Sequence, residues 1–307
     1  MDMDTIAETL RAVAGGRVIR DAPMREYTSF RAGGTADILA FPPDEDALVA
    51  ALAFLAEAGL PCLVTGNGSN LLVRDGGFRG VIVRIGKPVG RIDVDGCGIS
   101  VQAGALLSEL AEAAAAASLT GLEFAGGIPG SLGGAICMNA GAYGGEMRQV
   151  VETARVYAPG APGAGVAEIG RDALRLSYRS SALQENGGVV VLGAKLRLAP
   201  GEPSEIRGRM AEFARRRAEK QPLGLPSAGS FFKRPQGHFA GKLIQDAGLA
   251  GLIFGGAQIS GMHAGFIVNR GGATAADIIG LMETAQAAVM DRFGVLLEPE
   301  VRIVGEI

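Results

Sequence analysis

The chain is predicted to be α+β with two lobes, a larger glycine-rich lobe to about residue 199 and a smaller one after it. Three observations predict this. Segments with helical and strand periodicity alternate along 307 residues without an internal repeat, a length suited to one large domain or two ordinary ones. Glycine numbers 48, about twice the usual ~7%, and is densest in 121–146, GLEFAGGIPGSLGGAICMNAGAYGGE. At residues 200–203 the character changes, and a basic helix follows.

In order, the chain opens on MDMDTIAETL, an acidic amphipathic helix and not a signal peptide. Residues 44–58 form a helix with acidic residues in its first turn, where the dipole favours them. Pro43 precedes it and Gly59 ends it. Residues 61–65 and 80–85 are short buried strands. Another strand is expected at 98–103, an alanine-rich helix at 106–118, and strands near 150–158 and 188–198. Residues 159–165, PGAPGAG, are a surface hairpin tip. The basic helix at 204–220 carries Arg215, Arg216 and Arg217. A loop ending in GSFFKRP, a short helix (AGKLIQDAG), a strand near 251–258, a helix over 274–293 and a last strand, EVRIV, complete the chain. The expected division is a lead-in helix and strand (1–30), a first domain (31–199) and a second (200–307), with the last strand free to return to the first.

Composition removes several function classes. The formal charge is −3, against the basic surface of a nucleic-acid protein. Cys62, Cys97 and Cys137 are odd in number, widely spaced and flanked by apolar residues, which fits reduced thiols in a cytoplasmic protein. No apolar run reaches the ~18 residues of a membrane span. The two histidines, His238 and His263, join no cluster with metal spacing, so no metal is expected.

The glycine-dense segment is not a linker, which would be polar and repetitive. It interleaves Phe124, Ile128, Leu132, Ile136 and Met138, so its backbone is expected to approach something closely. A phosphate-bearing cofactor suits, cradled by backbone N–H groups. The common fingerprints are absent: no G-x-G-x-x-G follows a strand, since Leu71 stands where TGNGSNLL would need its third glycine, and no P-loop occurs. Thr65, Gly66, Asn67, Gly68, Ser69 and Asn70 follow an apolar run and offer a second cradle or an ordinary tight turn. Tyr178-Arg179-Ser180-Ser181 is a surface turn or an anion contact. Ser230 lies in AGSFFK without a neighbouring histidine or a G-x-S-x-G pattern, which argues against a hydrolase triad. Glu298, Glu300 and Arg302 alternate and would share one strand face, as an exposed ion pair or a site.

These segments, in this order, resemble the UDP-N-acetylenolpyruvoylglucosamine reductase (UDP-N-acetylmuramate dehydrogenase) family. The resemblance runs through YTSFRAGGTA (27–36), TGNGSNLLVRDGGFRG (65–80), the 121–146 segment and LSYRSS (176–181). It continues through KQPLGLPSAGSFFKRP (220–235), HFAGKLIQDAGLAG (238–251), HAGFIVN (263–269) and LEPEVRIVG (297–305). It implies a two-lobed FAD-binding fold of the vanillyl-alcohol-oxidase (PCMH) type plus a smaller α+β substrate-binding domain. It also implies non-covalent FAD, NADPH as co-substrate and a UDP-sugar enolpyruvate as substrate, in cytoplasmic peptidoglycan precursor synthesis, with a monomer favoured.

By the same resemblance FAD is held by Thr65, Gly66, Asn67, Gly68, Ser69, Asn70 and Leu71. A second set comprises Gly126, Gly127, Ile128, Pro129, Ser131, Gly133, Gly134, Asn139, Ala140 and Gly141. Arg179, Ser230 and Glu300 are the implied catalytic residues: Arg179 for the carboxylate, Ser230 as proton donor, and Glu300 to polarise the enol system or assist the proton. Lys220, Lys233, His263 and Arg302, with Arg217, are implied substrate contacts. Arg234 stands where some members have asparagine. Only 50 positions lie between Arg179 and Ser230, so the chain resembles the shorter subtype without a tyrosine-bearing lid insertion. A rival oxidase on the same scaffold would tether FAD through a histidine, but both histidines follow residue 237. A non-catalytic nucleotide-binding module would bind ligand without flavin reduction.

Overall fold

Helix-capping aspartates and buried stripes explain the first elements of the computed structural model, which describes residues 2–160, 165–185 and 188–307. Helix Met3–Ala14 starts where the Asp2 carboxylate accepts from Thr5 N–H at 2.8 Å, and it buries Ile6, Ala7, Leu10 and Ala14. Helix Glu45–Glu57 is capped in the same way by Asp44 through Ala47 N–H and buries Leu48, Ala51, Leu52 and Leu55. The side-chain oxygen satisfies a backbone donor that the first helical turn leaves unpaired. The two helices pack against each other.

Residue contacts divide the chain into two compact units. The first comprises 1–20, 38–67 and 80–216. The chain forms a four-stranded sheet in the order Arg17–Pro23, Thr35–Phe41, Phe78–Arg84, Cys62–Thr65, the last two parallel with Cys62 opposite Val81. The first unit holds a five-stranded antiparallel sheet in the order Val166–Gly170, Val151–Tyr157, Val190–Arg197, Gly98–Gln102, Ile92–Asp95. Ala154 faces Ala194, and Ala194 faces Val101, across the central strands. Tyr157 pairs with Val166, in a strand that the sequence did not mark; residues 161–164 of the expected hairpin tip lie outside the described residues. One core fills this unit, including Leu52, Val81, Val101, Leu132, Ile136 and Leu192.

The second unit comprises 21–37, 68–79 and 217–307. Its own core includes Phe30, Phe231, Leu72, Ile278 and Val289. Strand Leu71–Val73 pairs in parallel with Arg302–Val304. Where one strand near 251–258 is expected, the chain makes a tight hairpin, Ile253–Phe254 with Ala257–Ile259, continued by Ile267–Asn269. Helix Ala275–Phe293 begins at a reciprocal cap, Thr274 Oγ1 accepting from Asp277 N–H and the Asp277 carboxylate from Thr274 N–H, both at 3.0 Å. Burial works to raise the pKa of Asp277, and the hydrogen bonds from Thr274 and Gly256 outweigh it, holding the carboxyl below its ordinary range.

The contact division falls elsewhere than residues 30 and 200. Helix Pro203–Lys220 follows the composition change, but as far as Arg216 it belongs to the first unit. Ile206 is buried there, Arg207 pairs with Glu112, and Arg209 Nη2 reaches Glu123 Oε1 at 2.8 Å. Phe213 stacks on Tyr143 at 4.6 Å between centroids. Its contacts, and not its basic composition, decide where it sits. Among the described residues no helix is long and apolar enough to cross a membrane.

Candidate active site

In the first unit, the loop after strand Cys62–Thr65 meets the glycine-dense segment. Asn67 Nδ2 donates to the Pro129 carbonyl at 3.0 Å, and Arg84 Nη2 donates to Asn67 Oδ1 at 3.3 Å. A Cβ on Gly66 would displace Ser131 Oγ, so the two loops approach closely there. The backbone N–H groups of Asn67, Gly127 and Gly130 find no acceptor among the described residues. Two glycine loops thus converge with donors to spare, which suits an anionic dinucleotide.

The glycines of 121–146 divide by what they approach. A Cβ on Gly141 would come within 2.5 Å of the Gly145 carbonyl oxygen, and one on Gly145 would enter the Phe124 ring. A Cβ on Gly133 would lie 3.1 Å from that of Ala103. These glycines lie against the chain's own atoms. Gly134 differs. It is exposed on helix Leu132–Cys137, and a Cβ there would meet nothing within 4 Å. Protein packing does not require glycine at this position, and helix propensity opposes it by about 1 kcal/mol. Space kept at that cost fits a bound cofactor, so the residues present are compatible with FAD.

Three expected cofactor residues also make contacts within the protein. Asn139 is fully buried with φ 42°. Its Nδ2 donates to Glu146 Oε2 and to the Ser177 carbonyl, and its Oδ1 accepts from Arg148 N–H, all at 2.9 Å. The Ala140 N–H and carbonyl are taken by Ala135 and Met147. Leu71 is buried in its strand opposite Arg302. The Asn139 side chain, the Ala140 backbone and the Leu71 strand thus also have protein partners.

Arg179 belongs to this same unit. It sits in a tight turn closed by Ser180 N–H to the Ser177 carbonyl at 3.2 Å and by the reverse bond at 3.1 Å. Its φ is 53°, an arrangement that costs a non-glycine residue of order 1 kcal/mol and gathers at functional sites. Arg179 Nη2 donates to the Gly141 carbonyl at 3.2 Å, and the guanidinium lies over the Tyr178 ring at 5.3 Å. Some 40 positions apart in the chain, the YRSS turn and the glycine-dense segment are neighbours.

The second unit assembles the other motifs. Gly229, with φ 80°, turns the chain so that Ser230 bridges Phe266 on one side and Phe232 bridges Pro299 on the other. Phe231 N–H donates to the Gly265 carbonyl, and Glu300 N–H donates to the Phe231 carbonyl, both at 2.8 Å. Ser230 and Glu300 are therefore held on neighbouring backbone. Ser230 Oγ donates to the Phe232 carbonyl at 3.3 Å, a long bond that is easily given up. Asn70, expected at the cofactor, donates through Nδ2 to the Glu300 carbonyl at 3.0 Å, while its own carbonyl accepts from Arg302 N–H. Gly68 is similarly occupied, its carbonyl accepting from Ser29 N–H at 3.1 Å.

Glu298 pairs with Lys233 and not with Arg302, a partnership that the E-x-E-x-R spacing does not reveal. Arg302 and Lys220 are exposed. Arg217 Nη1 reaches Gln221 Oε1 at 3.4 Å. Arg234 lies over the Phe239 ring at 3.9 Å and donates to the His238 carbonyl. His263 is half-buried, its ring against Gly241 and Gly265, and its Nδ1 accepts from Gly265 N–H at 3.1 Å. Burial pushes its pKa down, so it is neutral at pH 7 with its proton on Nε2. Among the described residues no metal-ligating cluster occurs.

A cofactor cradle without a Rossmann motif, beside a pinned arginine, describes a flavin oxidoreductase, and comparison with known proteins agrees. The FAD binding domain family matches residues 36–160, and the C-terminal domain of UDP-N-acetylenolpyruvoylglucosamine reductase matches 221–304. The reductase of Agathobacter rectalis is 49% identical, covering 94% of both chains. That of Caldanaerobacter subterraneus is 46% identical, covering 99% of this chain and 98% of its own. The crystal structure of the Thermus caldophilus reductase superposes with a TM-score of 0.79 at 37% identity, over 94% of this chain and 98% of that one. Wild-type Phl p 4.0202, a glucose dehydrogenase, reaches 0.50 at 16% identity over 66% of this chain and 45% of its own, a likeness of fold. The chain belongs to the UDP-N-acetylenolpyruvoylglucosamine reductase family, with the PCMH-type FAD-binding fold.

Proposed function

We propose that Arg179, Ser230 and Glu300 act on the substrate, while the loops 65–71 and 126–141 hold FAD. The chain is an FAD-dependent oxidoreductase. It uses NADPH to reduce the enolpyruvyl ether of UDP-N-acetylglucosamine enolpyruvate to the lactyl ether of UDP-N-acetylmuramate, a step of peptidoglycan precursor synthesis. FAD held there would supply the hydride chemistry that links NADPH to the vinyl group. Residues 31–199 serve the cofactor and 200–307 the substrate, after a lead-in at 1–30. The family matches at 36–160 and 221–304 support that division.

The protein's own residues do the rest. Hydride at one vinyl carbon leaves negative charge at the other, delocalised into the carboxylate. Stabilising it requires donors already in place. Arg179, always protonated and able to grip a carboxylate with two N–H groups, meets that need. Its bond to the Gly141 carbonyl, inside the cofactor segment, is the observation that carries this reading. Ser230 protonates the carbanion; a hydroxyl is a weak acid, adequate only against a strong base placed beside it. Glu300, anchored through both its N–H and its carbonyl, polarises the enol system or assists the proton. Lys220, Lys233, His263 and Arg302 contact the UDP-sugar. Cys62, Cys97 and Cys137 are free thiols, which supports a cytoplasmic enzyme. It acts as a monomer, to be checked by analytical ultracentrifugation.

Stopped-flow absorbance of Ser230→Ala tests the central assignment. Flavin reduction by NADPH should be unchanged, and reoxidation by the enolpyruvyl substrate should slow by about 10²–10⁴-fold. Reoxidation at the wild-type rate removes Ser230 as proton donor.

A further inference from the structure

The turn that carries Arg179 is bolted to the glycine-dense segment by buried side chains that the chemistry does not use. Asn139 Nδ2 donates to the Ser177 carbonyl at 2.9 Å, while its remaining hydrogen-bonding capacity is spent on Glu146 and Arg148 N–H. At the other end of the turn, Ser181 is fully buried, and its Oγ donates to the Cys137 carbonyl at 2.7 Å. Gln184 Nε2 adds a second bond to that carbonyl at 2.6 Å. The two ends of the Ser177–Ser180 turn are thus tied to Cys137 and Asn139, two residues apart on the segment that leads to Gly141. Asn139, Tyr143, Arg175 and Arg179 all have positive φ, with values of 42°, 54°, 45° and 53°. Arg175 takes it as the left-handed cap of helix Arg171–Leu174 and Tyr143 in the two-residue turn of the 141–146 hairpin, while at Asn139 and Arg179 the surrounding contacts hold it.

We infer that Asn139 and Ser181 are positioning residues that set the Arg179 guanidinium for the substrate carboxylate. The inference rests on the assignment of Arg179 as the carboxylate clamp. A fork of fixed N–H groups selects a carboxylate only when its direction is fixed. Arg179 Nη2 bonds the Gly141 carbonyl, and its side chain leaves from the Ser177–Ser180 turn, so its direction follows how that turn is seated. Asn139 seats one end and Ser181 the other. A bound carboxylate reads this seating directly, before any chemistry.

The experiment measures equilibrium binding to the oxidised, FAD-loaded protein by isothermal titration calorimetry. The ligands are UDP-N-acetylmuramate, which carries the lactyl carboxylate, and UDP-N-acetylglucosamine, which does not. Arg179→Ala should weaken the first by about tenfold or more and leave the second unchanged. Ser181→Ala and Asn139→Ala should weaken the first by about three- to thirtyfold, also leave the second unchanged, and add nothing in the Arg179→Ala background. Ser181→Ala removes one hydroxyl and decides the matter should Asn139→Ala not fold. A selective loss in Arg179→Ala without one in the strut variants overturns the inference alone, as does an additive loss in the double variants. No selective loss in Arg179→Ala removes the clamp itself, and the inference falls with it.

Discussion

Gly134→Ala separates a glycine kept for a ligand from one kept for the protein. Gly134 is the third residue of helix Leu132–Cys137, and an added Cβ would meet no protein atom within 4 Å. Without cofactor, alanine relieves the entropic cost of glycine in a helix and should stabilise the apoprotein by about 0.5–1 kcal/mol, a rise of about 1–3 °C in Tm. With cofactor the same methyl occupies the space it would fill, and overpacking costs about 1–3 kcal/mol, or about 5- to 150-fold in FAD affinity. The sign therefore reverses between the two states. Differential scanning fluorimetry of flavin-stripped protein reads the first effect, and quenching of FAD fluorescence on titration reads the second. Gly145→Ala is the control: its Cβ would enter the Phe124 ring, so it should lower the apoprotein Tm. FAD affinity within about twofold of wild type would refute the idea that Gly134 leaves room for the cofactor. A lowered apoprotein Tm in Gly134→Ala would refute the open space itself.

Two further predictions concern buried charge. Glu123 is buried. Burial pushes its pKa up, but hydrogen bonds from Thr120, Gly121 and Arg209 outweigh this and hold it below the ordinary carboxylate range. Its contribution is therefore complete above about pH 4.3 and lost as pH falls below that. Glu123→Gln should destabilise by about 1–3 kcal/mol at pH 7 and by less at pH 3.5. Urea midpoints of the two proteins that stay parallel across this range would contradict it. For His263, burial lowers the pKa, so the neutral ring contributes stability above about pH 6.5 that is lost as pH falls through the lower folded value. The Tm advantage of wild type over His263→Gln should shrink between pH 7 and pH 5, and a constant difference would count against a buried neutral ring.

Elements with caps and a full turn-by-turn stripe were legible in the sequence. Asp2, Asp44 and Thr274 mark helix starts that the structure repeats within a residue or two. Helix 204–220 was legible too, but not its allegiance, because Arg209 and Phe213 find their partners in residues 123 and 143. Strand Val166–Gly170 was not legible, since none of its residues is buried and no apolar alternation marks it. The hairpin at 253–259 merged into one expected strand because its arms are two and three residues long, too short for periodicity to separate. At the site, residue types carried the chemistry: the arginine, serine and glutamate were legible as candidates. Lys233–Glu298 was not, because the pairing crosses 65 positions and no local pattern encodes it.

By itself the sequence determined the element types, the absence of the common nucleotide fingerprints and, through the order of its motifs, the family. Local propensities and residue chemistry are properties of short segments, and they survive without the fold. Only the tertiary structure decided which glycines are required by the protein and which leave room for a guest. It also set the Asn139 side chain against the Ser177 carbonyl, Glu146 and the Arg148 N–H. Steric exclusion and hydrogen-bond satisfaction depend on neighbours tens of residues away, so the same asparagine is a ligand contact or a buried strut according to what the fold sets beside it.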